Sequence, residues 1–316
     1  MSRPVLLAIS GDSGAGKTTL TRGLVRILGR AQVAHLSADH YHRFGRRERA
    51  ERGLTPLHPA ANHLDILEQH VLHLRSGRRI LKPVYDHRDG SFAAAEPLDP
   101  APFTIVEGLL ATHSAALREL FDVRVFIDTP DDLRRRWKVQ RDCSRRGYTT
   151  DTVLEELDRR IGDAEEFVRP QRLHADIVLS FMPGDRGDDA HLDAKLVLRP
   201  GLKHCDLSSL ADGVWETIQL HAGRREHTLV IPGTLTPERS AEVQAAIWDC
   251  MHFAAHLRTE RLGEFTAGMA LGRSEALAIA QLLILHQLVT TRAALAVGTT
   301  GGRVGDGPGA QMPVVS

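Results

Sequence analysis

A chain of 316 residues with 42% hydrophobic and 25% charged side chains has the composition of a globular protein, long enough for one large core or two modest ones, and is excluded from disorder along its whole length. Lys+Arg and Asp+Glu are both 40, so formal charge cancels; neither a nucleic-acid nor a membrane partner is expected, and any basic site must be local. Cys143, Cys205 and Cys250 show no paired spacing, so neither a disulfide framework nor a metal knuckle is expected, and a cytoplasmic location fits.

The first predicted element is an apolar strand over 5–9, which starts so early that no signal or transit segment is expected. It runs into Gly11, Asp12, Ser13, Gly14, Ala15, Gly16, Lys17, Thr18 and Thr19, and then into a helix with Leu20, Leu24, Ile27 and Leu28 at helical spacing. A glycine-rich turn between a strand and a helix lets successive N–H groups and the positive helix end face one anion. Lys17 then reaches the outer phosphates of a nucleoside triphosphate, and the Thr18 hydroxyl reaches magnesium. ATP and Mg²⁺ are the expected cofactors.

A second strand over 31–37 leads to a turn bearing Asp39, His40, Tyr41, His42 and Arg46, at the same sheet edge as the glycine-rich loop. A phosphoryl acceptor belongs there. Asp39 is placed to orient a hydroxyl and take its proton, His42 suits a hydroxyl, and Arg46 suits a phosphate. A crossover helix over 64–74 precedes a third strand, 103–106, which ends in Glu107. That carboxylate falls in the crevice of a parallel sheet, where it can organise magnesium, partly through water. Kinases and plain ATPases share these parts, so they identify the nucleotide and leave the acceptor open.

A fourth strand, 123–127, is followed by a basic run in which Arg134, Lys138 and Arg141 share one helical stripe with Asp142 beside it; Arg159 and Arg160 close the next helical stretch, 153–161. Such a cluster offsets the repulsion between ATP and a phosphorylated acceptor. Strands over 177–179, 195–198 and 228–231, a loop at 185–190, and an interrupted helical pattern over 257–289 complete the order; the apolar run 276–289 reads as a buried helix too short to span a bilayer. The expected fold is α/β: a mostly parallel sheet of P-loop NTPase type flanked by helices, with a C-terminal α+β extension of the same sheet. The expected division is a kinase core over 1–190, an extension over 191–297 packed on it, and a disordered tail over 298–316.

The chain resembles the phosphoribulokinase and uridine kinase superfamily over roughly 4–290, with motifs in the same order. These are Gly11-Asp12-Ser13-Gly14-Ala15-Gly16-Lys17-Thr18, Asp39-His40-Tyr41-His42, the stretch 54–62, Lys82-Pro83-Val84-Tyr85-Asp86-His87, Ile105-Val106-Glu107-Gly108-Leu109 and Trp137-Lys138-Val139-Gln140-Arg141-Asp142. The last of these, Arg146-Gly147-Tyr148-Thr149-Thr150 and Val230-Ile231-Pro232-Gly233-Thr234-Leu235 resemble the phosphoribulokinase branch more closely. The resemblance implies ATP-dependent phosphorylation of the 1-hydroxyl of D-ribulose 5-phosphate, the step that makes the acceptor of carbon fixation, by a homo-oligomer, a dimer favoured. It implies that Lys17 and Asp39, the latter as base, Glu107 and Asp142 serve catalysis. It further implies that His42, Arg46, Lys138 and Arg141 hold the sugar phosphate, Tyr85 and His87 line its pocket, and Arg146, Arg159 and Arg160 belong to a basic flap. Where light-regulated members carry cysteines, this chain has Ala15 and Ser37, so thiol control of that kind is not expected, and its own cysteines are expected to be buried. The alternatives are a nucleoside kinase, disfavoured by 5% aromatics and abundant arginine, and a non-catalytic nucleotide-binding relative, disfavoured because Lys17, Asp39 and Glu107 are all present.

Overall fold

The computed structural model describes residues 2–184, 191–202, 204–205, 215–221, 224–267 and 270–298. The loop at 185–190 and the tail from 299 onward, both named above, lie outside them. The strands are β1 (Val5–Gly11), β2 (Val33–Ser37), β3 (Ile80–Asp86), β4 (Ser91–Leu98), β5 (Phe103–Gly108), β6 (Val123–Ile127), β7 (Ile177–Pro183), β8 (Leu192–Leu198), β9 (Trp215–His221), β10 (Arg224–Ile231), β11 (Glu264–Ala267) and β12 (Ala270–Arg273). The helices are α1 (Lys17–Leu28), α2 (Arg46–Glu51), α3 (Leu64–Arg75), α4 (Ala115–Leu120), α5 (Asp131–Arg146), α6 (Thr150–Arg159), the single turn α7 (Ile161–Asp163), α8 (Pro237–Cys250) and α9 (Glu275–Ala296).

Among the described residues the central sheet has eight strands in the order β2-β5-β1-β6-β7-β8-β10-β9; the first five run parallel and the last three antiparallel. The expected α/β fold with a sheet extended by the second half is what forms. Every residue of β1 is buried, as a central parallel strand covered on both faces requires. Val5, Leu7 and Ile9 face the layer that holds α1 and α9, whereas Leu6 and Ala8 face Leu67, Val71 and Leu74 of α3. Register aligns the strand ends: Ile9 and Ser37 both lie opposite Glu107, and Gly11 lies opposite Ile127. Three chemistry-bearing loops therefore leave the sheet side by side.

Helix α9 is buried on all sides from Ala276 to Val289 and packs against α1, β1 and α8. At 22 residues it outruns the apolar stretch that suggested a helix too short for a membrane, and it meets the length and composition of a membrane span; 78% of its apolar window lies inside the protein, against the sheet. Its close seat on α1 rests on Gly23, where an added Cβ would come 2.1 Å from Gln281 Nε2, while Gln281 Oε1 accepts the Gly263 N–H at 2.9 Å.

Several sequence expectations are corrected. The interruption near Gly268 and Gly272 is the β11–β12 hairpin rather than a break in one helix. The β3–β4 hairpin and β9 were not foreseen; Pro83 and Pro97 demote the hairpin as strand, and β4 is exposed and carries no alternation. Residues 30–32 form a 3₁₀ turn before β2. Cys205 and Cys250 are joined as a disulfide with Cα atoms 6.3 Å apart, although 45 residues separate them and no motif spacing announces the pair. The expected burial of the thiols also fails: Cys143 is half-buried and Cys250 exposed.

Inside a helix, Ala usually exceeds Gly in stability by about 1 kcal/mol. Gly23→Ala should reverse that sign, because the new methyl must displace a buried side chain, at a cost of about 1–3 kcal/mol. Thermal melts of the single variant check this; a rise in melting temperature would show that Gln281 withdraws freely.

Candidate active site

The glycine-rich loop closes over its own lysine. Gly16 at φ 105° caps α1, and Lys17 Nζ donates to the carbonyls of Gly11 and Asp12, both at 2.9 Å. Gly11, at φ 145°, has no room for a side chain, since a Cβ would lie 2.5 Å from the Ile127 carbonyl oxygen. Just past the end of β6, Thr129 Oγ1 donates to Ala15 O at 2.8 Å, so the loop is braced by its neighbour. Lys17 is buried, which pulls its ammonium below the ordinary lysine range, and Asp39, Glu107 and Asp12 work against that pull. Thr18 Oγ1 donates to Glu107 Oε2 at 3.2 Å, Thr21 Oγ1 to the same oxygen at 3.4 Å, and His35 Nε2 lies 3.3 Å from Oε1. Ser13 N donates to Asp12 Oδ1, and Thr19 follows on α1.

Asp39 stands on the short turn after β2, where its Oδ1 accepts the Leu109 N–H at 2.8 Å. The approach depends on Gly108: a Cβ there would come 2.9 Å from that oxygen and 2.6 Å from Ala38 Cβ. Asp39, Lys17, Thr18 and Glu107 are thus brought together from three strand ends. An open cleft of about 200 Å³ borders Asp12 on the β6 side, lined by Asp128, Thr129, Pro130, Asp131 and Arg169.

On the acceptor side, Asn62 Nδ2 donates to the carbonyls of Pro56 and His58, which turns its oxygen toward His42 Nδ1 at 2.8 Å. That oxygen accepts only, so His42 carries its proton on Nδ1 and offers Nε2 as an acceptor. Burial and then the nearby Arg49 hold the imidazole down to about 4. His42 meets Tyr85 edge-on at 4.6 Å, and Tyr85 meets His87 at 5.0 Å. Arg46 reaches the β3–β4 turn, where its guanidinium donates to the carbonyls of His87 and Arg88 and lies 6.0 Å from the Tyr148 ring.

Helix α5 crosses the glycine-rich loop; Gly14 leaves room for the backbone of Arg134 and the stem of Lys138. Lys138 Nζ and Arg141 Nε donate to the two oxygens of Asp142 at 2.7 and 2.8 Å. Burial alone would raise the Asp142 carboxyl; the hydrogen bond and charge of Arg141, with Lys138, outweigh it and bring it to about 2. Asp142 is therefore a permanent counter-charge, not a proton acceptor at neutral pH. Arg160 pairs with Glu156 at 2.7 Å with its Nε buried and unpartnered, whereas Arg159 is exposed against the same glutamate. The side chain of Arg146 lies outside the described residues.

Sequence reasoning missed Arg169 and Arg49, and offered Arg134 only as part of the basic stripe. Arg134 and Arg169 lie 3.6 and 3.8 Å from Asp12, and Arg134 also donates to Ser13 O. Arg49 is buried one helical turn beyond Arg46; the i, i+3 spacing was visible, but the surrounding run of charges reads as a solvated helix.

The family described as Phosphoribulokinase / Uridine kinase matches residues 6–186. A phosphoribulokinase of Synechocystis sp. is 32% identical over 236 residues, covering 74% of this chain and 71% of that protein. A uridine kinase of Streptococcus equi subsp. zooepidemicus is 29% identical over 185 residues, covering 57% of this chain and 88% of that protein. The chain spans 55–61% of the length of its chloroplastic relatives. Among solved structures, a phosphoribulokinase from Rhodobacter spheroides superposes with a TM-score of 0.59 at 19% identity, covering 81% of this chain and 98% of that one, a likeness of fold.

The Asp142 carboxyl titrates at about 2 against its usual 3.8, which is worth about 2 kcal/mol of stability. A depressed carboxyl stabilises above its unfolded value, so this contribution is intact above about pH 4 and lost as pH falls toward 2. Asp142→Asn never has it and also leaves Lys138 buried without its partner. The variant should melt well below the parent at neutral pH, and the gap should narrow by about that amount between pH 4 and 2; a gap that ignores pH would contradict the ion-pair account.

Proposed function

The chain belongs to the phosphoribulokinase and uridine kinase family, and on that premise we propose that this kinase phosphorylates the 1-hydroxyl of D-ribulose 5-phosphate, converting ATP and the sugar phosphate to ADP and D-ribulose 1,5-bisphosphate. The observation that carries the acceptor assignment is the basic cluster on the side of His42 and Asp39. Lys138, Arg141, Arg49 and Arg160 converge there with Asp142 and Glu156 as the nearby counter-charges, an excess that suits a phosphorylated acceptor. The match to the Synechocystis enzyme, longer than the match to the uridine kinase, supports the same choice.

In this reading Asp39 orients the 1-hydroxyl and takes its proton as the oxygen attacks the γ-phosphorus; the bond to the bridging oxygen breaks and ADP leaves with that electron pair. The Leu109 N–H fixes one carboxylate oxygen of Asp39 and leaves the other for the hydroxyl. Lys17 leaves its loop carbonyls for the outer phosphates, a substitution of one set of acceptors by another inside a buried site. His42 Nε2 accepts from a sugar hydroxyl, while Tyr85 and His87 shape the wall behind it. Magnesium fits the hard oxygen donors of Thr18 and Glu107, the latter partly through water. When bound, it neutralises charge on the phosphates in the transition state.

A nucleoside acceptor is the second reading, favoured by the rings of His42, Tyr85, His87 and Phe92. Those rings meet one another edge to face, however, and among the described residues no parallel pair of rings is arranged to take a base between them.

Two measurements test the proposal. With ATP and magnesium, kcat/KM for ribulose 5-phosphate should exceed that for uridine and for ribose 5-phosphate, and a preference for uridine would overturn the acceptor assignment. Asp39→Asn should lower kcat by about 10² to 10⁴ while both substrates still bind; a near-normal kcat would remove Asp39 as the base.

A further inference from the structure

Gln171 lies on the 3₁₀ turn Arg169–His174, 2% exposed, and every hydrogen-bonding position of its amide is used. Its Oε1 accepts from the Thr112 backbone N–H at 3.0 Å and from the Thr112 hydroxyl at 2.9 Å, and its Nε2 donates to Leu109 O at 2.7 Å and Phe167 O at 3.0 Å. A backbone N–H only donates and a carbonyl only accepts, so the amide fits in one orientation. A junction that needed only sealing would be apolar, because a buried amide costs free energy unless all its bonds are made.

These four bonds join two stretches of chain with different tasks. Residues 109–112 follow β5, and the Leu109 N–H is the group that holds Asp39 Oδ1 at 2.8 Å. Phe167 lies in the π-helical turn Ala164–Val168, which continues the helical stretch that begins with α6 and carries Arg159 and Arg160. Leu109 and Leu110 are buried against Ala164 and Val168 at the same junction. Pro170 has no N–H to offer the turn, and the Gln171 side chain supplies a donor there. On its other side, Thr112 Oγ1 lies 3.1 Å from Ser10 Oγ, next to Gly11 of the phosphate loop. Leu109 is therefore held at both of its polar groups, the carbonyl by Gln171 and the N–H by Asp39.

We propose that Gln171 is a positioning residue for phosphoryl transfer: acting through Leu109, it sets the direction in which Asp39 presents its free oxygen to the acceptor hydroxyl, and it ties that direction to the seating of the segment bearing Arg159 and Arg160. The inference rests on the reading of Asp39 as the base and adds what aims it. Aim matters because a displacement of about 1 Å at a reacting group costs on the order of 10² in rate.

Gln171→Met keeps the volume and removes all four bonds. Assayed well below its melting temperature with ATP, magnesium and whichever acceptor the parent phosphorylates, it should lower kcat roughly ten- to hundredfold and change either KM by less than about threefold. Because the effect passes through Asp39, adding Gln171→Met to Asp39→Asn should lower kcat further by less than about threefold. Gln281→Met, the same chemical change at a buried amide of α9, should lower the melting temperature and leave kcat within about twofold of the parent. Amide deuterium exchange needs no turnover: the Leu109 N–H should exchange at least roughly tenfold faster in Gln171→Met and at the parental rate in Gln281→Met. Gln171→Asn, whose amide sits one methylene short of Leu109, is the milder change and is read by the same measurements should Gln171→Met not fold. A near-normal kcat in Asp39→Asn would remove the base reading and this inference with it. With Asp39→Asn impaired, the positioning role alone is overturned by a parental kcat in Gln171→Met, by losses that multiply in the double variant, by unchanged exchange at Leu109, or by an equal loss of kcat in Gln281→Met.

Discussion

Everything at the site depends on keeping one ammonium inside the protein. Lys17 is surrounded by loop carbonyls and by three carboxylates whose strands end at the same height, and that coincidence follows from register: Ser37 and Ile9 both lie opposite Glu107. A one-residue slip of β5 against β1 would turn Glu107 to the opposite face of the sheet and put an apolar side chain beside Thr18. The alternation of Val5, Leu7 and Ile9 against Leu6 and Ala8 blocks such a slip, because each set is already committed to a different helical layer. Core packing thereby sets an electrostatic distance.

The acceptor half is organised on the opposite principle. There cations outnumber their local partners, and Asp142 limits the imbalance by engaging Lys138 and Arg141 at once. With its carboxyl held far below neutrality, Asp142 keeps the ends of two long side chains fixed before any substrate arrives, so the entropy of ordering them is met during folding. His42 contributes in the complementary manner: neutral and tethered by Asn62, it adds a directional acceptor without adding to the positive charge.

The parts legible in the sequence were those in which chemistry and local structure coincide. The glycine-rich loop, Asp39 after β2 and Glu107 at the end of β5 each follow an apolar strand directly, so position along the chain translates into position at the sheet edge. What escaped depends on contacts remote in sequence. Nothing near Cys205 announces Cys250, nothing in the exposed alanines of β4 marks a strand, and the glycines near 268 and 272 read as a broken helix because a four-residue strand is too short to establish a period. Arg49 was hidden for another reason: α2 is so rich in charge that solvation is the natural reading, and only the hairpin folded over it takes this arginine out of water.

The seat of α9 on α1 has a consequence for how such a protein changes over time. Gly23 lies in the helix that begins with Lys17, and it is shaped to receive Gln281, which in turn holds the backbone at Gly263; Arg26 on the same helix pairs with Glu264. The face of the phosphate-loop helix is therefore a mould of the chain's last helix. Recombination that exchanged the second half for another would leave a notch and an unmatched arginine on the first, so either half brings with it a surface cut for the other.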